Sequence, residues 1–243
     1  MLAVAAIPIL GVGAGNSPTA TVPFVGCESY GQTQKLPAPK GQAELVPITP
    51  KDAEALAWYA SADGIGVLGP RGWACEGYSG SSGFGIFLAP RESDLRNRIQ
   101  KNFEGPAIEI YHITSEASGT YGVARLEARV FPACRAAARK FWEGLDLPFP
   151  RGPYPRDSLT YRSKTVVEYR TPSGAEGLGT DDSWFTRNGA PVSGVVVLLT
   201  HGPNVIGFGP DAIILYARLP AGLAALTPVI VRDVEREAVA PRK

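Results

Sequence analysis

Cys75 stands in the stretch GPRGWACEGYSGSSGFGIF (69–87), between a tryptophan and a run of glycines and serines. A cysteine there is either a nucleophile or half of a disulfide. Catalysis requires a thiolate, hence a histidine or a helix N-terminus beside the sulfur. The chain carries two histidines, His112 and His201. His201 follows the apolar run GVVVLLT and precedes a loop, a reasonable station for a base, whereas His112 lies inside a strand-like run between Tyr111 and Ile113. After Cys75 comes Glu-Gly-Tyr-Ser-Gly, a poor helix starter, so activation by a helix dipole is missing. Ser79, Ser81 and Ser82 are the other nucleophile candidates. The run GYSGS at 77–81 fails the G-x-S-x-G elbow because Ser81 stands where the last glycine belongs and no helical pattern follows. No lysine has a serine three positions before it, which removes the S-x-x-K enzymes.

Other chemistries fare no better. GIGVLG at 64–69 matches G-x-G-x-x-G, yet it runs into Pro70-Arg71-Gly72 instead of opening a helix, so it reads as a strand with glycines. The two histidines are far apart, H-E-x-x-H is absent and no cysteines are closely paired, so no metal and no cofactor are expected. Asp181-Asp182 lacks the alternating oxygens of a calcium loop and reads as a solvated turn. Aromatics are better placed. Trp73, Tyr78, Trp184 and Phe185 sit beside glycine-rich or polar loops, where rings either line a ligand groove or fold back on the core.

The disulfide reading of Cys75 is the stronger one. Cys27 and Cys75 both lie in glycine-rich surroundings where backbones can approach, while Cys134 falls on the apolar side of a helix, where a thiol behaves as a small hydrophobe. Cys27–Cys75 is therefore favoured over pairings with Cys134, and such a link would close a loop of about 49 residues, worth ~4 kcal/mol in the chain-entropy account. It presumes an oxidising compartment. The N-terminus points the same way: Leu2 to Val12 is apolar and uncharged, and Val12-Gly13-Ala14 resembles a signal-peptidase site, so residues 1–20 read as a signal peptide. Against this, no basic residue precedes the apolar run and Pro8 interrupts it. PFVGC at 23–27 resembles a lipobox only superficially.

The positioning elements follow from pattern and punctuation. With 24 basic and 23 acidic residues interleaved, the chain shows no footprint for nucleic acid, and no apolar run reaches the length of a membrane span. Thr49-Pro50-Lys51-Asp52 starts a helix that the spacing of Ala53, Leu56, Ala57 and Ala60 extends to residue 63. Strands are expected in IGVLG, FGIFLA, AIEIYHI and YGVARLEARV, then in SKTVVEYRT, VSGVVVLLT and AIILYARL. Helices begin at Phe131-Pro132 and at Thr227-Pro228, the latter burying Ile230 and Val234. The proline-dense GLDLPFPRGPYPRDS either separates two domains or crosses the surface of one. A single α+β domain over 21–243 is the simpler reading, an antiparallel sheet with two to four helices packed on it.

GVLGPRGWACEGYSGSSG, VEYRTPSGAEGLGT, VSGVVVLL and LTPVIVRDVE together resemble a family of uncharacterised exported bacterial proteins, over residues 25 to 237. That resemblance implies export and no activity. The order of elements, with an early strand ending in P-x-G-W and a final strand leading into a C-terminal helix, is similar to PsbP-like proteins, which implies an α/β/α sandwich as the alternative architecture. The expected function is a non-catalytic periplasmic or extracellular protein that binds a small ligand or an envelope protein through loops 73–83 and 177–190. Its binding residues would be Trp73, Tyr78, Ser79, Ser81, Ser82, Trp184 and Phe185. The alternative is a hydrolase using Cys75 or Ser79, Ser81 or Ser82, with His201 as base.

Overall fold

The computed structural model describes residues 18–31, 34–97, 103–181, 183–199 and 209–239. The expected signal segment lies outside these except for its last three residues, and His201 lies outside them as well. From the N-terminal side come β1 (Ala20–Val22), β2 (Phe24–Cys27), β3 (Ser29–Tyr30), β4 (Lys35–Leu36) and β5 (Glu44–Val46). Then follow α1 (Pro50–Ala55), β6 (Leu56–Ser61), β7 (Gly66–Pro70), β8 (Ala74–Gly80) and β9 (Gly83–Ala89). After α2 (Glu92–Asn97) come β10 (Ala107–Ile113), α3 (Gly119–Val130), α4 (Arg135–Gly144), β11 (Ser158–Tyr161) and β12 (Val166–Thr171). The remaining elements are α5 (Leu178–Asp181), β13 (Val192–Leu199), β14 (Asp211–Arg218) and α6 (Thr227–Val239).

The architecture is α+β. Nine strands make one sheet in the order β11-β12-β13-β14-β10-β9-β8-β3-β4, antiparallel except where β3 joins β8. A smaller sheet, β2-β6-β7, packs on one face together with α6. Alternation along the strands divides the apolar residues between two clusters, one on each side of the large sheet. Ile86, Leu88, Ile108, Ile110, Val195, Val197 and Leu215 face the small sheet and Ile230, Val231 and Val234 of α6. Phe87, Ile214, Tyr216, Val196 and Tyr169 face the opposite way, toward Val123, Leu126 and Val130 of α3. Three of the helices run ten residues or more; α1, α2 and α5 are much shorter. No helix among the described residues is long and apolar enough to cross a membrane.

Two expected elements differ. The Thr49 hydroxyl does accept from the Asp52 amide at 3.2 Å, but the helix it opens ends at Ala55, and Leu56–Ser61 is a strand paired with both β2 and β7. The apolar positions at helical spacing sit within a run, LAWYAS, that is almost wholly buried, and two flanking strands outweigh its periodicity. Gly64, at φ 87°, makes the following hairpin turn and stops no helix. The second case is YGVARLEARV, which is helix α3. Its period-2 alternation exists in the sequence, but Ala124, Leu126 and Ala128 are buried beside Val123 and Val130, and alanine, leucine, arginine and glutamate all favour helix.

The proline-rich connection crosses the surface of the same domain. Phe149 lies under the Arg139 guanidinium at 4.3 Å, and a Cβ on Gly152 would fall 2.7 Å from Cα of Arg129, so the segment is laid closely along α3 and α4.

Candidate functional site

Cys75 is bonded to Cys27, with sulfurs 2.06 Å apart and Cα atoms 5.4 Å apart. The link joins β2 of the small sheet to β8 of the large one, and it leaves no thiol at Cys75 for catalysis. Cys134 is the free cysteine among the described residues, and burial, aided by the charge of Glu127, pushes its thiol pKa upward.

Three residues in strict register create the feature that dominates the other face of the sheet. Tyr78 of β8 is opposite Gly85 of β9, and Gly85 is opposite Tyr111 of β10. Because the middle position has no side chain, the two phenol rings close over it, with centroids 5.6 Å apart and planes within 14° of parallel. A Cβ at residue 85 would lie 2.8 Å from Cζ and Oη of Tyr78 and 2.5 Å from the Ile110 carbonyl oxygen. Glu109 shares this face, two residues before Tyr111. The Tyr78 hydroxyl donates to its Oε1 at 2.6 Å, and Glu109 is only 4% exposed. Ser82, in the tight turn between β8 and β9, shares a hydrogen bond of 2.7 Å with the Tyr111 hydroxyl.

The facing wall comes from α5 and the residues after it. Asp181 accepts from Arg129 Nη1 at 2.7 Å and from the Tyr154 hydroxyl. Burial alone would raise its carboxyl pKa, but these two bonds together with the charges of Arg129 and Arg125 outweigh burial and hold it below the usual range. The Ser183 hydroxyl donates back to the Gly179 carbonyl at 2.7 Å and so sets the direction in which Trp184 leaves the helix. Between the walls lies a cavity of about 470 Å³ lined by Tyr78, Ser79, Gly80, Ser82, Glu109, Tyr111, Asp181, Ser183 and Trp184.

Comparison with family models, curated proteins and solved structures finds no match. What the cavity can do follows from its own groups.

Of the residues expected at a binding site, Tyr78, Ser79, Ser82 and Trp184 meet in this cavity. Ser81 does not line it; its hydroxyl lies 3.0 Å from that of Ser118 and ties the hairpin turn to the start of α3. Trp73 is a correction. It packs against the apolar cluster on the opposite face of the sheet, its amide donating to the Tyr59 hydroxyl at 3.1 Å. Phe185 is the second correction: it is 2% exposed and meets Phe87 and Phe103 in the core, so it anchors the Trp184 loop and does not line the cavity.

That anchor depends on Arg218, a residue at the end of β14 that is 2% exposed. Its guanidinium donates to the carbonyls of Thr186 (2.6 Å), Ala190 (2.8 Å), Phe103 (3.0 Å) and Glu104 (3.2 Å), and its Cζ lies 4.9 Å from the centre of the Phe185 ring. Burial lowers its pKa to about 10, which leaves it charged at neutral pH. Residue 103 completes the clamp, its amide donating to the Trp184 carbonyl at 2.9 Å and its carbonyl accepting from Thr186 at 3.1 Å.

His112 points to the face away from Tyr111. Its Nε2 is 3.1 Å from Asp211 Oδ2, the Ser115 amide donates to Asp211 Oδ1 at 2.6 Å, and its ring packs on Phe84 at 4.7 Å. A cavity of about 370 Å³ touches it there, but the described residues lining that cavity include no serine, threonine or cysteine. Among the described residues that line the Tyr78–Trp184 cavity there is no histidine; beside the His112–Asp211 pair stands the buried Ser115, whose side chain as well as its amide hydrogen-bonds to Asp211.

Proposed function

We propose that this protein is an exported, non-catalytic binding protein of the bacterial envelope or exterior that takes a small ligand into the Tyr78–Tyr111–Trp184 cavity. The observation that carries the reading is the convergence of three sequence-distant segments on one cavity. The β8–β9 hairpin, β10, and the residues Asp181, Ser183 and Trp184 supply aromatic rings, hydroxyls and carboxyl groups on one face of the nine-stranded sheet. Each wall is fixed by its own hydrogen bonds, and preorganisation of that kind lowers the cost of binding. Export is supported by the Cys27–Cys75 bond and by the apolar segment that precedes the described residues.

A thermal-shift screen of small polar metabolites on the oxidised protein tests it. A ligand present at about 100 times its Kd adds ~2.7 kcal/mol of stability and raises Tm by roughly 5–10 °C in a domain of this size. The shift should vanish in Trp184→Ala and Tyr78→Ala while both variants still unfold cooperatively. Shifts that persist in both variants would place binding elsewhere and overturn the reading.

A further inference from the structure

The polarity of the cavity narrows what it can hold. Its ionisable lining residues, tyrosines aside, are the carboxylates Glu109 and Asp181; no lysine, arginine or histidine is among the described residues that line it. Asp181 is matched by Arg129 behind it, and Arg129 in turn lies with its Cζ 4.8 Å from the centre of the Tyr154 ring. Glu109 is buried in the floor between the strands, and the Tyr78 hydroxyl fixes its orientation.

The hydroxyl protons are directed mostly away from the space. Tyr78 gives its proton to Glu109, Ser183 to the Gly179 carbonyl, and one proton is shared within the Ser82–Tyr111 pair. Tyr78 and Ser183, their protons so engaged, present oxygen lone pairs, the Ser82–Tyr111 pair keeps one further hydroxyl proton, and beside them stand two parallel phenols and the Trp184 indole. Burial, reinforced by the charge of Glu109, raises the Tyr111 pKa against the opposing pull of the Ser82 hydrogen bond, so this phenol stays neutral. A carboxylate or phosphate would meet two carboxyl groups and, among the described lining residues, no cationic side chain. A sugar would find hydroxyl and carboxyl partners but, among the described lining residues, no charged donor. A cation finds ring faces, lone pairs and a fixed carboxylate together, the combination that recognises ammonium groups.

We infer that the Tyr78–Tyr111–Trp184 cavity selects an organic cation, a ligand carrying an ammonium or quaternary ammonium group seated between the aromatic faces and Glu109. This inference rests on the binding-protein reading and specifies its ligand class. The test uses choline and its neutral isostere 3,3-dimethylbutan-1-ol, which differ at one atom and in charge, with glucose and benzoate as neutral-polar and anionic probes. Each is titrated into the 15N-labelled, oxidised full chain, and the indole N–H signal of Trp184, assigned with Trp184→Phe, is followed.

Choline should move that signal, with the isostere at least about tenfold weaker. Glu109→Gln should weaken choline by about tenfold or more while leaving the isostere unchanged. Tyr78→Phe keeps the ring and should retain more affinity than Tyr78→Leu. Equal binding of choline and its isostere would overturn the cation assignment without any variant being needed. If glucose or benzoate moves Trp184 and choline does not, the ligand class is wrong while the binding reading stands. If none of the four moves it, the cation assignment falls, and the metabolite screen decides the wider reading separately.

Discussion

Substituting Gly85 by alanine probes the joint between fold and site. The added Cβ would lie 2.5 Å from the Ile110 carbonyl oxygen, a backbone atom in the neighbouring strand, and 2.8 Å from two atoms of Tyr78. Neither approach is tolerable, and only the tyrosine can swing aside without moving the sheet. Overpacking of this kind costs about 1–3 kcal/mol. Displacing Tyr78 also forfeits its stacking on Tyr111, worth ~0.5–1.5 kcal/mol, and its hydrogen bond to Glu109. Together these place the loss at roughly 2–6 kcal/mol, and even the lower end, about 2 kcal/mol, lowers Tm by about 4–8 °C in a domain of this length. The near-UV circular dichroism of the paired tyrosines should fall at the same time. Gly64→Ala is the control: φ there is 87°, but no atom lies within 4 Å of the added carbon. It should cost about 1 kcal/mol through backbone strain and leave the tyrosine signal intact. A Gly85→Ala protein with native Tm and native near-UV spectrum would refute the claim that the empty position under the rings builds the site.

Three further outcomes are expected. Reducing the Cys27–Cys75 bond, whose partners are 48 residues apart, should cost ~4 kcal/mol by guanidinium titration of oxidised and reduced protein; a change below about 1 kcal/mol would contradict it. Arg218→Met takes the shared donor from the carbonyls of Thr186, Ala190 and Glu104, while that of Phe103 keeps the Thr186 amide, and should cost about 2–3 kcal/mol, with faster hydrogen exchange at Thr186; Arg218→Lys should not rescue it, because an ammonium cannot span the fork. Glu235 on α6 should make stability fall with rising pH. Burial and the adjacent Glu168 carboxylate raise its pKa from 4.5 to about 7, so the folded state holds the proton more tightly than the unfolded state does. The associated stability is complete below pH 4.5 and is lost as pH rises through 7. Glu235→Gln should flatten that slope between pH 5 and 8 and be the more stable protein at pH 8; parallel pH profiles would refute this.

Much of the fold was legible because its strands are punctuated. AIEIYHI, FGIFLA and AIILYAR are bounded by glycine or proline and appear as strands almost residue for residue. Thr49 and Thr227 mark helix starts that form where their sequence signals stand. The failures occurred where local pattern and environment compete. LAWYAS carries a helical spacing overridden by two strand partners, and VARLEARV carries a strand spacing overridden by helix propensity. Of the residues lining the cavity, Tyr78, Ser79, Ser82 and Trp184 stood out as polar and aromatic groups in turn-rich segments, although most of the expected loop 73–83 is strand β8, which carries Tyr78 and Ser79. Glu109 and Tyr111 were missed although the signal existed: period 2 in AIEIYHI puts an acid and a phenol on one face of an otherwise apolar strand. Trp73 and Phe185 looked equivalent to Tyr78 and Trp184 because composition does not say which face a loop aromatic takes. Arg218 was unreadable as an organiser, since its four carbonyl partners come from segments about 30 and 115 residues away.

Where a bound ligand sits tests the central claim most directly. The strongest binder from the metabolite screen, titrated into 15N-labelled protein, should shift the Trp184 indole together with the amides of Tyr78, Ser79, Ser82 and Tyr111, and leave His112 and Asp211 on the other face unmoved. Shifts centred on His112 and Asp211, or spread over a surface remote from Trp184, would contradict it.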